Sequence, residues 1–186
     1  LLQACANGSS ELMSNISSSI VSMLYNFQLM RFIGEDGVSA YGVLMYVQMI
    51  FLAISIGYSL GASPIVSYHL GAENYIEVKN IYRKSLILTG SMGIILMGLA
   101  QLFAIPLARL FVGYDTNLYE LTVHAFRLFS FVFILAGLNI FASAFFTALN
   151  NGVVSAIISF MRTLVFQTTA VMVLPMILDT DGIWWA

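Results

Sequence analysis

Glu11 is the one carboxylate that falls within an apolar stretch rather than at its end, and it belongs to a pattern. Asn7, Glu11, Asn15, Ser18, Ser22 and Asn26 follow one another at spacings of four, four, three, four and four. On a helix that spacing draws a single stripe. Its chemistry is that of an ion path: amides and hydroxyls that replace water around a cation, and a carboxyl that burial pushes toward its neutral form. Such a carboxyl takes up and releases a proton, or holds a cation when ionised. The bland alternative is a Glu11 at the membrane interface, solvated or paired with a basic residue. The functional reading is favoured because intramembrane carboxylates are functional by default. Leu12, Ile16, Ile20, Met23 and Phe27 are expected on the opposite face, against lipid or packing partners.

A second stripe, Asn139, Ser143, Thr147 and Asn150, has spacings of four, four and three. Facing the first helix across a cavity, its amide would bind an ion or substrate; equally, small polar residues of this kind join helices, at about 0.6 kcal/mol each. Arg162 lies ten residues beyond Gly152, about 15 Å along a helix axis, and there it needs a partner. A structural ion pair, or snorkelling toward an interface, ranks ahead of a substrate-binding role. Gln167, Thr168 and Thr169 continue the polarity. Gly57 and Gly61 form a small-xxx-small pair that permits close helix approach, and Pro64 permits a kink. His69 and His124 fall near the ends of apolar stretches, where solvated structural roles are expected. Cys5, the single cysteine, excludes an intramolecular disulfide and a cysteine-based metal cluster. No hydrolase triad, zinc-protease motif or phosphate-binding loop is present, so neither an enzyme nor a metal site is expected.

The elements that position these groups follow from composition. Of 186 residues, 60% are apolar and 9% charged, and the mean hydropathy is +0.91. Soluble domains run at about 45–50% apolar and 25% charged, so the bilayer is the solvent. A net charge of −2 with no basic run gives neither a nucleic-acid footprint nor a polybasic lipid anchor. About 20 apolar residues cross about 30 Å of hydrocarbon, and the charged clusters leave five such stretches, about 7–31, 39–69, 82–111, 118–149 and 152–178. Backbone groups in lipid must be satisfied within their own segment, and no ten-residue alternation recurs, so an all-α bundle is expected rather than a barrel.

Turn residues fill the connections: Gly34 to Gly37, Gly113 to Asp115 with Asn117, Asn150 to Gly152, and Asp179 to Gly182. The 70–81 connection is longer, and residues 74–84 read as a short amphipathic interfacial helix. Lys79, Arg83 and Lys84 mark that side as cytoplasmic, which by alternation places Leu1 and the Asn150–Gly152 turn there too. The chain starts without Met and stops where a further span is beginning, from about residue 182, so both ends read as cut.

Three stretches carry a family resemblance: Asn7 to Asn15 opening the first span, Gly57 to Ala72 closing the second, and Asn139 to Gly152 closing the fourth. With these the chain resembles the MATE family, the multidrug and toxic compound extrusion transporters, over nearly its whole length. The resemblance implies a polytopic membrane bundle of twelve helices in two six-helix lobes. This chain would be the second lobe with its last helix truncated, and the N-terminal lobe would be missing. It implies efflux of amphiphilic cationic small molecules in exchange for H+ or Na+, with no other cofactor, by a multi-pass cell-membrane protein. Glu11 then looks like the acidic residue that many members carry in the seventh helix, with Asn15 and Asn139 beside the ion. Ser18, Ser22, Asn26, Ser143 and Arg162 would line the cavity. Asn139 stands where some members have a second acid, which counts against a two-carboxylate sodium site in this lobe. Two alternatives remain at this stage: a related flippase for a lipid-linked glycan, disfavoured by the scarcity of cations in the spans, and a non-transporting membrane scaffold.

Overall fold

The computed structural model describes the backbone of residues 2–186 and the side chains of Leu12 and residues 15–186. Glu11 and Asn7 therefore lie outside the described side chains. Among the described residues the secondary structure is helical, with no strand. The elements are α1 (Leu2–Phe32), α2 (Glu35–Gly71), α3 (Tyr75–Val112), α4 (Thr116–Phe129), α5 (Val132–Ala148), α6 (Gly152–Phe160), a π-helical stretch (Met161–Gln167) and α7 (Thr168–Trp185). With 37 and 38 residues, α2 and α3 reach about 55 Å at 1.5 Å per residue, so each projects well beyond the hydrocarbon.

The turn residues earn their places as caps. Asn74, Asp115 and Asn151 accept the backbone N–H groups of Glu77, Asn117 and Val154 at 3.2, 2.9 and 3.3 Å, satisfying donors that an opening helix leaves free. Asn150, at φ 57°, takes the left-handed conformation that Asn tolerates. The 74–84 segment differs from its expectation. It is the start of α3, continuous with the rest of that helix, because the buried face of Val78, Ser85 and Thr89 runs unbroken into Gly93 and Leu96.

The stretch expected as one fourth span is broken. α4 and α5 meet at a bend of 49°, at Ser130 and Phe131. The carbonyl of Arg127 would be exposed at this break, and Gln101 on α3 answers it: its Nε2 donates to Arg127 O at 2.8 Å and to Ser130 Oγ at 2.6 Å. Ser130 Oγ also donates to Arg127 O at 2.8 Å. Breaks at membrane depth persist where neighbouring side chains satisfy the freed backbone in this way.

Packing is concentrated at one end. The larger core joins the last turns of α1, the first half of α2, the second half of α3, α4 and the chain end, through Leu29, Leu44, Ala104, Phe126, Ile183 and Trp184. Ala100, Ala104 and Ala108 on α3 are fully buried, and small residues of this kind let helix backbones approach. Tyr25 and Tyr41 stack with ring centroids 4.6 Å apart, and the Tyr25 hydroxyl donates to the carbonyl of Ile183. At the other end a smaller cluster holds Ala62, Val66, Val78, Phe141 and Phe145.

Close helix approach occurs at glycines other than the Gly57–Gly61 pair. Both of those are exposed, and a Cβ on either would meet nothing within 4 Å. A Cβ on Gly93 would stand 2.7 Å from Phe133 O and 2.8 Å from Ile134 O, and one on Gly137 3.2 Å from Ser55 Oγ. These two glycines seat α5 between α2 and α3. In α7, Asp179 leaves helical geometry at φ 51°, ψ −133°. Beyond it the chain doubles back, bringing Gly182 against Leu174 and Pro175. His124 Nε2 meets Asp181 Oδ1 at 2.8 Å and ties this return to α4. His69 sets its ring edge against Tyr68, with centroids 5.4 Å apart.

Candidate functional site

α1 presents three faces rather than two. Ser17, Val21, Tyr25, Gln28 and Leu29 are buried and pack on α6, α7 and the π-helical stretch. Asn15, Ser18, Ser22 and Asn26 are all exposed, and so are Leu12, Ile16, Ile20, Met23 and Phe27. Leu12, Ile16, Met23 and Phe27 each follow a stripe residue by a single position, about 100° around the helix, so the two stripes are neighbours and not opposites. The polar stripe thus faces outward from this bundle. Two of its hydrogen bonds are local, with Ser19 Oγ donating to Asn15 O at 3.0 Å and Asn26 Nδ2 to Ser22 O at 2.9 Å, and the Ser22 side chain also meets the Tyr41 hydroxyl on α2.

The α5 stripe faces α6, which stands between α5 and α1. Ser143 Oγ lies 2.9 Å from Ser155 Oγ and 3.0 Å from Ser159 Oγ, and Thr147 Oγ1 donates to Ser155 Oγ at 2.8 Å. Of the two readings open for this stripe, Ser143 and Thr147 follow the one in which hydroxyls join helices. Asn139 sits one turn earlier, half-buried.

A groove of about 600 Å³ opens between α2, α5 and α6, continuing onto the π-helical stretch. Ile56, Leu60, Ile140 and Ala144 give it apolar walls, and Ser59, Ser63 and Ser67 run down α2 at one residue per turn. Ser59 and Ser63 donate to the carbonyls four residues back, at 2.9 and 2.8 Å. Ser67 reaches across to Ala148 O at 3.0 Å, bridging α2 to α5. The groove also contains Arg162. Among the described residues no carboxylate forms an ion pair with Arg162. Its recorded bond runs from Nε to Thr163 Oγ1 at 3.5 Å, the outer limit for such a contact. The guanidinium is half-buried and sits in the wider π turn, a local geometry that recurs at functional sites. No single residue reveals such a groove in sequence, although the seryl register 55, 59, 63, 67 on α2 is legible there as a polar line beside Gly57 and Gly61.

Among the described residues no group of three or more potential metal ligands comes together. Three helices, Glu35–Gly71, Tyr75–Val112 and the continuous Gly152–Trp185 run, are long and apolar enough to cross a membrane, and the bent α4–α5 pair makes a fourth if it is one span.

The MatE family pattern matches residues 12–172. The chain belongs to this family. Its fold matches solved MATE structures closely. One is a MATE in complex with MaL6, at TM-score 0.90 and 21% identity, covering 99% of this chain and 42% of that one. Another is the outward-facing conformation of a multidrug resistance MATE family transporter of the MOP superfamily, at 0.90 and 21%, covering 98% and 42%. A MOP superfamily transporter from Pyrococcus furiosus Vc1, described as having a binding pocket of reverse polarity, gives 0.89 and 21% over the same shares. The probable multidrug resistance protein YoeA of Bacillus subtilis (strain 168) is 23% identical over 117 residues, 63% of this chain and 25% of YoeA. The chain thus spans about two fifths of the solved MATE transporters that it matches, the share of a single lobe. MatE membership makes it a multi-pass membrane protein of a transporter family.

Proposed function

We propose that this chain is the second lobe of a multidrug-efflux transporter that exports amphiphilic cationic molecules in exchange for H+ or Na+. The observation that carries the reading is the outward-facing polar stripe of α1. A membrane helix that turns Asn15, Ser18, Ser22 and Asn26 away from its own bundle needs a polar counterpart, and a water-filled cavity against a second lobe supplies one. Glu11 stands one turn before Asn15 on that stripe and is the proton- or cation-binding group. Asn15 assists it, and Asn139 is the further amide that the family resemblance nominates. Lys79, Arg83 and Lys84, all exposed at the start of α3, support a cytoplasmic side for the 70–81 connection and for Leu1. Family membership and the kinship with YoeA support a drug substrate. The reverse-polarity neighbour makes pocket charge a variable within this fold, so the substrate class has to be read from each chain's own lining.

The test is Glu11→Gln in the complete protein, reconstituted and assayed for dye efflux driven by a proton or sodium gradient. Loss of gradient-driven efflux with dye binding retained is the expected result. Unchanged transport removes Glu11 from coupling.

A further inference from the structure

We propose that the Arg162 groove is an oxyanion subsite, which receives the carboxylate or phosphate of an amphiphile whose apolar body lies along Ile56, Leu60 and Ile140. This goes beyond the transporter reading: it rests on that reading for the presence of a carrier, but neither on coupling through Glu11 nor on the cationic cargo.

The sign of the lining decides the class. Arg162 is the only charged residue among the described groove residues, and no carboxylate of the described residues pairs with it. Among the described residues the ion pair is His124–Asp181, on other elements. A guanidinium has five N–H donors, of which the 3.5 Å bond to Thr163 uses one. A cation entering this space meets a like charge in a low-dielectric setting, whereas a carboxylate or phosphate meets the planar fork that binds it in two parallel hydrogen bonds. Ser159 adds a donor on the same face. It precedes Arg162 by three residues, so the two side chains are neighbours on the helix surface. Its Oγ lies 3.0 Å from Ser143 Oγ, a contact in which either hydroxyl can donate.

The remaining walls fit an amphiphile. Ser59 and Ser63 have spent their hydrogens on their own helix, which leaves that wall without competing donors. A volume of about 600 Å³ lies within the range of about 300–1,000 Å³ for drug-sized ligands. The shared chemistry has two sources, a free amphiphilic acid or the headgroup of an anionic lipid.

The experiment measures equilibrium binding, with no ion gradient, of dansyl-labelled undecanoic acid and of its primary amide to the complete protein in nanodiscs. Because nothing is transported, a failure of the coupling reading leaves the outcome untouched. The acid is expected to bind about tenfold more tightly than the amide, as charge-assisted hydrogen bonding implies. Arg162→Gln is expected to abolish the preference, and Arg162→Lys, which keeps the charge but loses the fork, to reduce it. Leu60→Trp fills the groove without touching the charge and is expected to weaken both ligands, which keeps the test decisive if Arg162→Gln does not fold. Run in phosphatidylcholine and phosphatidylglycerol discs, the assay assigns the source. A preference suppressed by phosphatidylglycerol identifies a lipid headgroup as the occupant, and one that survives identifies a free amphiphilic acid. Equal binding of acid and amide, a preference that persists in Arg162→Gln, or binding unaffected by Leu60→Trp overturns the assignment.

Discussion

A methyl group added at Gly93 would collide with backbone, whereas the same group added at Gly57 would enter open space. The Gly93 Cβ would stand 2.7 Å from Phe133 O, 2.8 Å from Ile134 O and 3.1 Å from Ile134 Cα. Carbon–oxygen contacts settle near 3.3–3.6 Å, so α3 and α5 must separate by roughly 0.6–0.9 Å. Peptide oxygens at a helix opening cannot swing aside as a side chain does. Overpacking of this kind costs about 1–3 kcal/mol. Replacing glycine by alanine inside a helix returns roughly 0.5–1 kcal/mol of propensity in either place, so the difference between Gly93→Ala and Gly57→Ala isolates the collision. It should be about 1–3 kcal/mol, a factor of roughly 5–150 in the unfolding equilibrium. Denaturant unfolding of the complete protein in nanodiscs, followed by tryptophan fluorescence, measures it. Gly57→Ala should leave the midpoint unchanged or raised, while Gly93→Ala lowers it. Equal midpoints would refute the view that α3 and α5 meet at Gly93.

Two further outcomes test the break and the α1 faces. Gln101→Leu removes the donor that satisfies Arg127 O and Ser130 Oγ, and should destabilise the protein by about 1–3 kcal/mol in the same unfolding assay; no change would mean that the bend does not depend on this contact. A cysteine placed at Asn15 should react with a water-soluble maleimide in at least one transport state. One at Ser17, which is 3% exposed, should be protected in all of them; the reverse pattern would invert the assignment of the polar face.

The membrane class was legible because composition alone decides the solvent, and turn chemistry marked the connections because Asn74, Asp115 and Asn151 act locally, within three residues of the groups they cap. The break in the fourth apolar stretch left a trace that length arguments overlook. Glu120, His124 and Arg127 share a helical face in its first half, an arrangement foreign to hydrocarbon, and α4 carries all three. Close approach at Gly93 rather than Gly57 had no such trace. All 14 glycines look alike along the chain, and which one meets a neighbour is decided by the partner helix. The same holds for Arg162. Sequence marked it as a charge in need of a partner, but only the convergence of α2, α5 and α6 shows a groove around it.

The bend between α4 and α5 gives the bundle a division of labour. Its first arm is locked into the large core by Leu118 and Phe126; its second arm, beyond Phe131, forms one wall of a groove that a sparser cluster supports. A substitution on the second arm therefore alters the groove without reaching the contacts by which Gln101 holds Arg127 O and Ser130 Oγ at the bend. Sequence drift should accordingly be cheap along the groove and dear at the bend.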